Sequence, residues 1–364
     1  MKEPFDLERY LTAGVENIVK GAMKISLKNH RESLFVARYL VASRKAAALR
    51  RSAEERGEHI PPFLIASVTT ACNLHCAGCY ARANHACLDT EAEGQMSDDD
   101  WEKVFAEAAG LGIGFILLAG GEPMLRRDIL TSAAKFQEIL FPVFTNGTMF
   151  DMDYLKLFNR SRNLLPVLSI EGGEDNTDDR RGRGMYRQLQ NTMELLHKDG
   201  ILFGASVTVT KENLREVTGR EFLDNLCHHG CKAIFYIEFV PVNSKARGMA
   251  PEEEEREYMN QKLLELREIY GDMLFISFPG DEKSSGGCLA AGRGFFHINA
   301  FGGAEPCPFS PYSDISVKES SIREALQSRL FTGLREQGVL MEDHAGGCVL
   351  FEKKEQVEAL AGGQ

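Results

Sequence analysis

Three cysteines stand close together in the run Thr69, Thr70, Ala71, Cys72, Asn73, Leu74, His75, Cys76, Ala77, Gly78, Cys79, Tyr80. Thiolates at Cys72, Cys76 and Cys79 can hold three corners of an iron–sulfur cube, and with no fourth cysteine in the loop one iron stays open to another ligand. A structural zinc site closes its tetrahedron with four ligands from two paired knuckles, and no matching knuckle follows here. Inert buried cysteines are the bland alternative for any lone Cys, but three at this spacing argue against it. The N-terminus (Met1, Lys2, Glu3, Pro4, Phe5, Asp6) lacks the basic-then-apolar build of a signal peptide. The chain therefore reads as cytoplasmic and its nine cysteines as reduced thiols.

Six cysteines lie elsewhere. Cys288 is followed by Gly302 and Cys307 in a Phe- and Gly-rich segment, and Cys348 stands alone after Gly346 and Gly347. Cys227, His228, His229, Gly230 and Cys231 resemble a metal box in composition, but they sit where a helix stops at Gly230 and a strand begins, so the ligands would diverge. Cys87, with His85, lies just past the first cysteine loop and is a candidate redox or substrate-contact thiol.

The elements that position these groups alternate. Residues 5–57 read as helix, with Leu34, Phe35, Tyr39 and Leu40 on an apolar face and basic residues opposite, stopped by Pro61 and Pro62. β-rich runs follow at 63–68, 115–119, 141–145, 167–171, 203–209 and 234–240. Between them lie helical stretches: Ser97 with Asp100 makes a capping box before Trp101, Val104, Phe105 and Ala108, and Tyr186, Leu189, Met193 and Leu196 form a face that ends at Gly200. Six strand–helix units predict a parallel sheet, closed or partly closed into an α/β barrel whose site lies at the C-terminal ends of the strands. The first cysteine loop occupies that end of strand one. Beyond Pro241 come an acidic helix from Glu252 to about Tyr270, the run 274–278 and a turn-rich linker at 280–287. This divides the chain into a helical segment (1–60), a barrel (61–245) and a C-terminal extension (246–364).

At the cysteine loop the sequence resembles the radical S-adenosylmethionine (SAM) superfamily, whose core is a partial (β/α)6 TIM-like barrel with a Cys-x3-Cys-x2-Cys loop after strand one. The likeness covers roughly residues 61–310. It implies a [4Fe-4S] cluster on Cys72, Cys76 and Cys79, SAM on the open iron, and reductive cleavage to a 5′-deoxyadenosyl radical that abstracts hydrogen from a substrate. It further implies that Gly120, Gly121, Glu122 and Pro123 contact the methionine part of SAM, the glycines allowing close backbone approach and the carboxylate or nearby carbonyls taking the ammonium. Ser169 and Ser206 would meet the ribose, Arg181 would pair with the SAM carboxylate, Val240 would stack on adenine, and Asn146 falls in the same ring of loops. The residue before the third cysteine is often aromatic in the family and helps hold adenine; here it is Gly78, which leaves that work to Tyr80 or to an aromatic from elsewhere.

The segment from Cys288 to Cys307 resembles the opening half of a SPASM or twitch extension, which implies an auxiliary iron–sulfur cluster. A full SPASM module would add four further cysteines, and this chain adds only Cys348. Cys288, Cys307 and Cys348 would then bind one cluster with an open iron, or His344 would close it; structural cysteines are the alternative.

With 42 basic against 53 acidic residues the net charge is −11, which argues against general affinity for nucleic acid. No apolar run reaches the length of a membrane span. One exception in charge is the stretch holding Lys20, Lys24, Lys28, Arg31, Arg38, Arg44, Lys45, Arg50 and Arg51 against a single acid, Glu32. It predicts docking on an acidic partner or an anionic membrane surface, against the plainer reading of a solvated helix covering the barrel's open bottom. The expected function is a radical SAM enzyme served by a reductant such as ferredoxin or flavodoxin. Its substrate would be a peptide or protein side chain or a small cofactor precursor. A non-catalytic iron–sulfur protein for electron transfer or cluster delivery is the alternative, and it has no use for Gly120–Pro123 or Arg181.

Overall fold

The computed structural model describes residues 30–241, 244–278, 286–341 and 348–362. Lys20, Lys24 and Lys28 and the helix expected over 5–29 lie outside the described residues, as do the side chain of Arg31, residues 280–285 of the linker, and His344, Gly346 and Gly347.

All six expected strands form: β1 (Phe63–Ser67), β2 (Phe115–Ala119), β3 (Phe141–Thr145), β4 (Leu164–Ser169), β5 (Gly204–Val209) and β6 (Ala233–Glu238). β4 starts three residues before the expected Val167, because Pro166 is accommodated in register opposite Val143 despite its missing N–H. Three further strands complete one sheet: β7 (Leu274–Phe278), β8 (Phe295–Ile298) and β9 (Ala304–Glu305), in the order β7-β6-β5-β4-β3-β2-β1-β8-β9. Strands β1 to β7 pair in parallel with their neighbours, β8 is parallel to β1, and β9 returns antiparallel to β8. The result is a half-barrel whose two edges are both supplied by residues beyond 245.

Strand alternation divides the sheet faces. Leu64, Ala66, Ile116, Leu118, Val143, Leu168, Ala205, Val207, Ile234 and Tyr236 are buried in the main core that packs the helices. The opposite, inner face carries Val167, Ala233 and Phe235, with Phe115, Phe144, Leu165, Ile237, Leu274 and Ile276 around them. The period of two continues along that inner face to Ser67, Ser169 and Ser206 near the strand C-termini.

The helix Asp98–Leu111 begins with the expected capping box: Asp100 N–H donates to Ser97 Oγ and Ser97 N–H to the Asp100 carboxylate. It ends at Gly112, with φ +85°, where an added Cβ would lie 2.5 Å from the Ala46 carbonyl oxygen. Ala46 belongs to the N-terminal helix, described as His30–Glu54. That helix docks by Tyr39 Oη, which donates to the Gly114 carbonyl, and by Arg50, which donates to the Gly112 carbonyl. Its buried face is Val36, Tyr39, Ala47, Arg50 and Ala53, whereas Leu34, expected on the apolar face, is 54% exposed. The loop it covers presents backbone carbonyls, so a guanidinium buries there in preference to a leucine.

Candidate active site

The C-terminal end of β1 runs into the cysteine loop, and the turn after β2 is fastened to it. Gly121 N–H donates to the Thr69 carbonyl and Glu122 N–H to that of Ala71. The approach is so close that a Cβ on Gly121 would sit 1.9 Å from the Ala71 carbonyl oxygen, and one on Gly120, at φ +127°, 2.4 Å from that of Thr69. The two glycines are thus required by the packing of the β2 turn on the chain that enters the cysteine loop. The Glu122 carboxylate turns into the protein: it accepts from Met124 N, Thr145 Oγ1 and Asn146 N at 2.7–3.0 Å. Burial pushes its pKa up to about 7. Of the two acceptors expected for an ammonium, the carboxylate is therefore already engaged. The carbonyls of Gly120 and Gly121 accept no hydrogen bond from the described residues.

Asn146 reaches across from the end of β3 and donates to Asn73 Oδ1 at 2.8 Å, so it orients the cysteine loop. The loop's other flank is held by the helix Glu174–Arg181: Ala77 N–H donates to the Arg180 carbonyl, and Arg181 Nη1 points at Cys76 Sγ, 3.9 Å away. Glu171, 1% exposed at the end of β4, pairs with Arg181 Nη2 at 2.5 Å and lies 3.1 Å from Arg180 Nε. One carboxylate thus faces two guanidiniums, and Nε and Nη1 of Arg180 and Nε of Arg181 are buried without a hydrogen-bond partner. Such orphaned cationic donors beside a thiol loop suit an anionic ligand.

Ser169 and Ser206 are neighbours across β4 and β5, their hydroxyls 3.2 Å apart on the inner face. Val240 is buried just past β6. The residue before it, Phe239, fills the space above Gly78: a Cβ there would lie 2.9 Å from Phe239 Cε2. Arg180 also lies over the Phe239 ring, 5.8 Å from its centroid. Tyr80, proposed from sequence to stand in for the missing aromatic, packs edge-on against Phe309, ring centroids 4.7 Å apart. Its burial raises the phenol's pKa, and the thiols of Cys79 and Cys307 push it the same way.

Cys288, Cys307 and Cys348 are all buried; burial first, and then the neighbouring Cys348 and Cys288, raise the pKa of the Cys307 thiol. Among the described residues no three His, Cys, Asp or Glu side chains converge on a single ion. Cys227 is exposed while Cys231 is buried with its thiol on the Ala233 carbonyl, and His229 bonds back to Asn225, so this group diverges as expected.

One arrangement has no counterpart in the sequence reading. His297, on β8, donates from Nδ1 to Glu305 on β9 at 2.7 Å, and its Nε2 lies 2.7 Å from Ser67 Oγ on β1. Asn299 donates to the other Glu305 oxygen at 2.6 Å. Histidine and glutamate are both at least 95% buried, on the inner face that also carries Ser169 and Ser206. The alternation of Phe295, His297 and Asn299 in an otherwise apolar run was the available signal; pairing of β8 with β1 was not readable.

Residues 66–219 match the radical SAM superfamily. The AdoMet-dependent heme synthase of Methanosarcina barkeri is 25% identical over 321 residues, 80% of this chain and 89% of that protein. The Fe-coproporphyrin III synthase of the same organism is 28% identical over 159 residues, 43% of this chain and 39% of that one. The sporulation killing factor maturation protein SkfB of Bacillus subtilis is 26% identical over 257 residues, 68% of this chain and 60% of its own length. The chain thus spans less than two thirds of the length of two of these three relatives. Among solved structures, Streptococcus suis SuiB bound to S-adenosylmethionine aligns with a TM-score of 0.64 at 16% identity, over 85% of this chain and 76% of that one. No helix among the described residues is long and apolar enough to cross a membrane. The matched stretch runs from β1 past β5 and carries the first cysteine loop with it: residues 66–219 form a radical SAM domain, of a superfamily whose cofactors are a [4Fe-4S] cluster and S-adenosylmethionine.

Proposed function

We propose that Cys72, Cys76 and Cys79 ligate a [4Fe-4S] cluster and that SAM sits between it and the inner face of the sheet. The observation that carries this is the buried donors left without a hydrogen-bond partner on Arg180 and Arg181, two guanidiniums that Glu171 holds beside the cysteine loop. When bound, cluster and SAM supply a 5′-deoxyadenosyl radical that takes a hydrogen atom from the substrate. The chain's own residues bind and orient. The Gly120 and Gly121 carbonyls accept the ammonium, with Glu122 and the buried Pro123 fixing their turn. Arg180 and Arg181 donate to the carboxylate, Ser169 and Ser206 meet the ribose, and Val240 with Phe239 flanks adenine. Cys288, Cys307 and Cys348 hold an auxiliary cluster, with residues 246–364 as its module. A simple electron carrier would leave the arginine donors and the glycine carbonyls without a partner.

For the substrate we favour a small cofactor precursor of the tetrapyrrole class over a peptide. The match to the heme synthase runs nearly end to end, 89% of that protein. Those to SkfB, the PqqA peptide cyclase of Rhizobium meliloti and AlbA of Bacillus subtilis cover 54–68% of theirs. A low-potential protein such as ferredoxin or flavodoxin serves as reductant.

Anaerobic reconstitution with iron and sulfide tests the reading. Wild type is expected to hold about twice the iron of the Cys72→Ala/Cys76→Ala/Cys79→Ala variant, as two cubes against one, and only wild type releases 5′-deoxyadenosine with dithionite. Equal iron in the two proteins would refute it. Iron coproporphyrin III as probe should raise nucleoside release and change in mass; no effect, with a response to a cysteine- or serine-containing peptide, would reverse the substrate assignment.

A further inference from the structure

Cys87 has no place in the site as described, yet the fold brings it to Cys72. The chain turns after the short helix Tyr80–Ala83, and Leu88 makes an isolated parallel bridge with Ala71. Two backbone bonds fix the register: Leu88 N–H donates to the Thr70 carbonyl, and Cys72 N–H donates to that of Leu88. Side chains alternate about such a bridge, so Cys72 and Cys87, each one residue from the paired positions, fall on the same face as diagonal neighbours. Their thiols face each other there. Cys87 is 5% exposed while Cys72 is partly open to solvent. One sulfur is therefore reachable by a small reagent and the other shielded behind it. Both thiols are free.

We propose that, when the loop is without iron, Cys72 and Cys87 form a disulfide by exchange with a small-molecule disulfide, so that a cluster ligand is withheld until a dithiol restores it. The Cys72 sulfur attacks the reagent RSSR, forming a mixed disulfide and releasing one RSH. The Cys87 sulfur then displaces the second RSH, so two electrons and two protons pass from the pair to the reagent and one S–S bond replaces another. The register of the Ala71–Leu88 bridge puts Cys72, and neither Cys76 nor Cys79, at the diagonal position beside Cys87. The consequence for the cluster rests on Cys72 being its ligand; the disulfide itself does not.

The test uses the full chain, freed of iron by chelation and incubated anaerobically with oxidised glutathione. Remaining thiols are alkylated and the protein is digested without reductant. Cleavage after Arg82 separates Cys87 from Cys72, Cys76 and Cys79, so a disulfide to Cys87 appears as two linked peptides whose fragmentation identifies the partner. The expected result is a dominant Cys72–Cys87 link that dithiothreitol removes and that is absent in Cys87→Ala. Iron uptake by the oxidised protein should fall about tenfold and return on reduction, since exchange must precede ligation. Links confined to Cys72, Cys76 and Cys79, or glutathione adducts alone, would overturn the proposal, and the wild-type map decides this even if a variant misfolds. A Cys72–Cys87 link with undiminished iron uptake would instead show that the disulfide forms but that Cys72 is not needed to load the cluster.

Discussion

Phe239 occupies the volume that a side chain at position 78 would need, its Cε2 lying 2.9 Å from the place of a Gly78 Cβ. The aromatic wall beside the third cysteine thus comes from the end of β6, and the glycine is its complement. Gly78 also stands at φ +67°, where a side chain strains the backbone. Phe239 is 3% exposed, so Phe239→Ala should cost about 3 kcal/mol in unfolding free energy by cavity formation. Phe239→Leu should cost much less, and both should weaken SAM binding to the reconstituted protein, read by calorimetry. Unaltered affinity in both would place adenine elsewhere.

Glu122 gives a pH dependence of defined sign. Its folded pKa, about 7, lies above the ordinary 4.5 because burial disfavours the carboxylate. An acid raised in this way adds stability fully present below its unfolded value and lost as pH climbs through its folded value. Urea midpoints of the iron-free chain should therefore decline between pH 5 and 8, by an amount on the order of 3 kcal/mol in free energy. Glu122→Gln should flatten that slope, and an equally steep decline in the variant would assign it to other groups.

The buried Glu305 carboxylate depends on His297 and Asn299. Removing one partner of a buried charge costs about 3–5 kcal/mol. His297→Ala should reach that range in denaturant titration, whereas the double variant His297→Ala/Glu305→Ala should recover part of the loss. Ser67→Ala, which removes only the outer contact, should cost about 1 kcal/mol. Additive losses in the double variant would show that the two groups are not coupled.

Arg181 and Arg180 share Glu171. Arg181→Lys keeps the charge and discards the planar fork, and should weaken SAM binding by about tenfold while the cluster still assembles, seen as retained iron. Undiminished affinity would leave Arg180 as the sole carboxylate donor.

Much of this was written in local sequence. Six strands, the capping box at Ser97 and the placement of the Cys72–Cys79 loop at a strand terminus depend on periodicity and on contacts a few residues apart, and these are legible in one dimension. The Gly120–Pro123 turn was legible as a turn. Its partner was not, because the Ala71 carbonyl that excludes a Cβ at Gly121 lies fifty residues away.

What only tertiary structure decided are the relations between elements distant in the chain. The inward turn of Glu122, Phe239 over Gly78, Cys87 beside Cys72, and Ser67 with His297 and Glu305 each join groups from different strands or loops. Parallel pairing makes this so: its crossovers put neighbouring strands far apart in sequence. The residue types fixed the chemistry this chain can perform, and strand order fixed which of those residues meet.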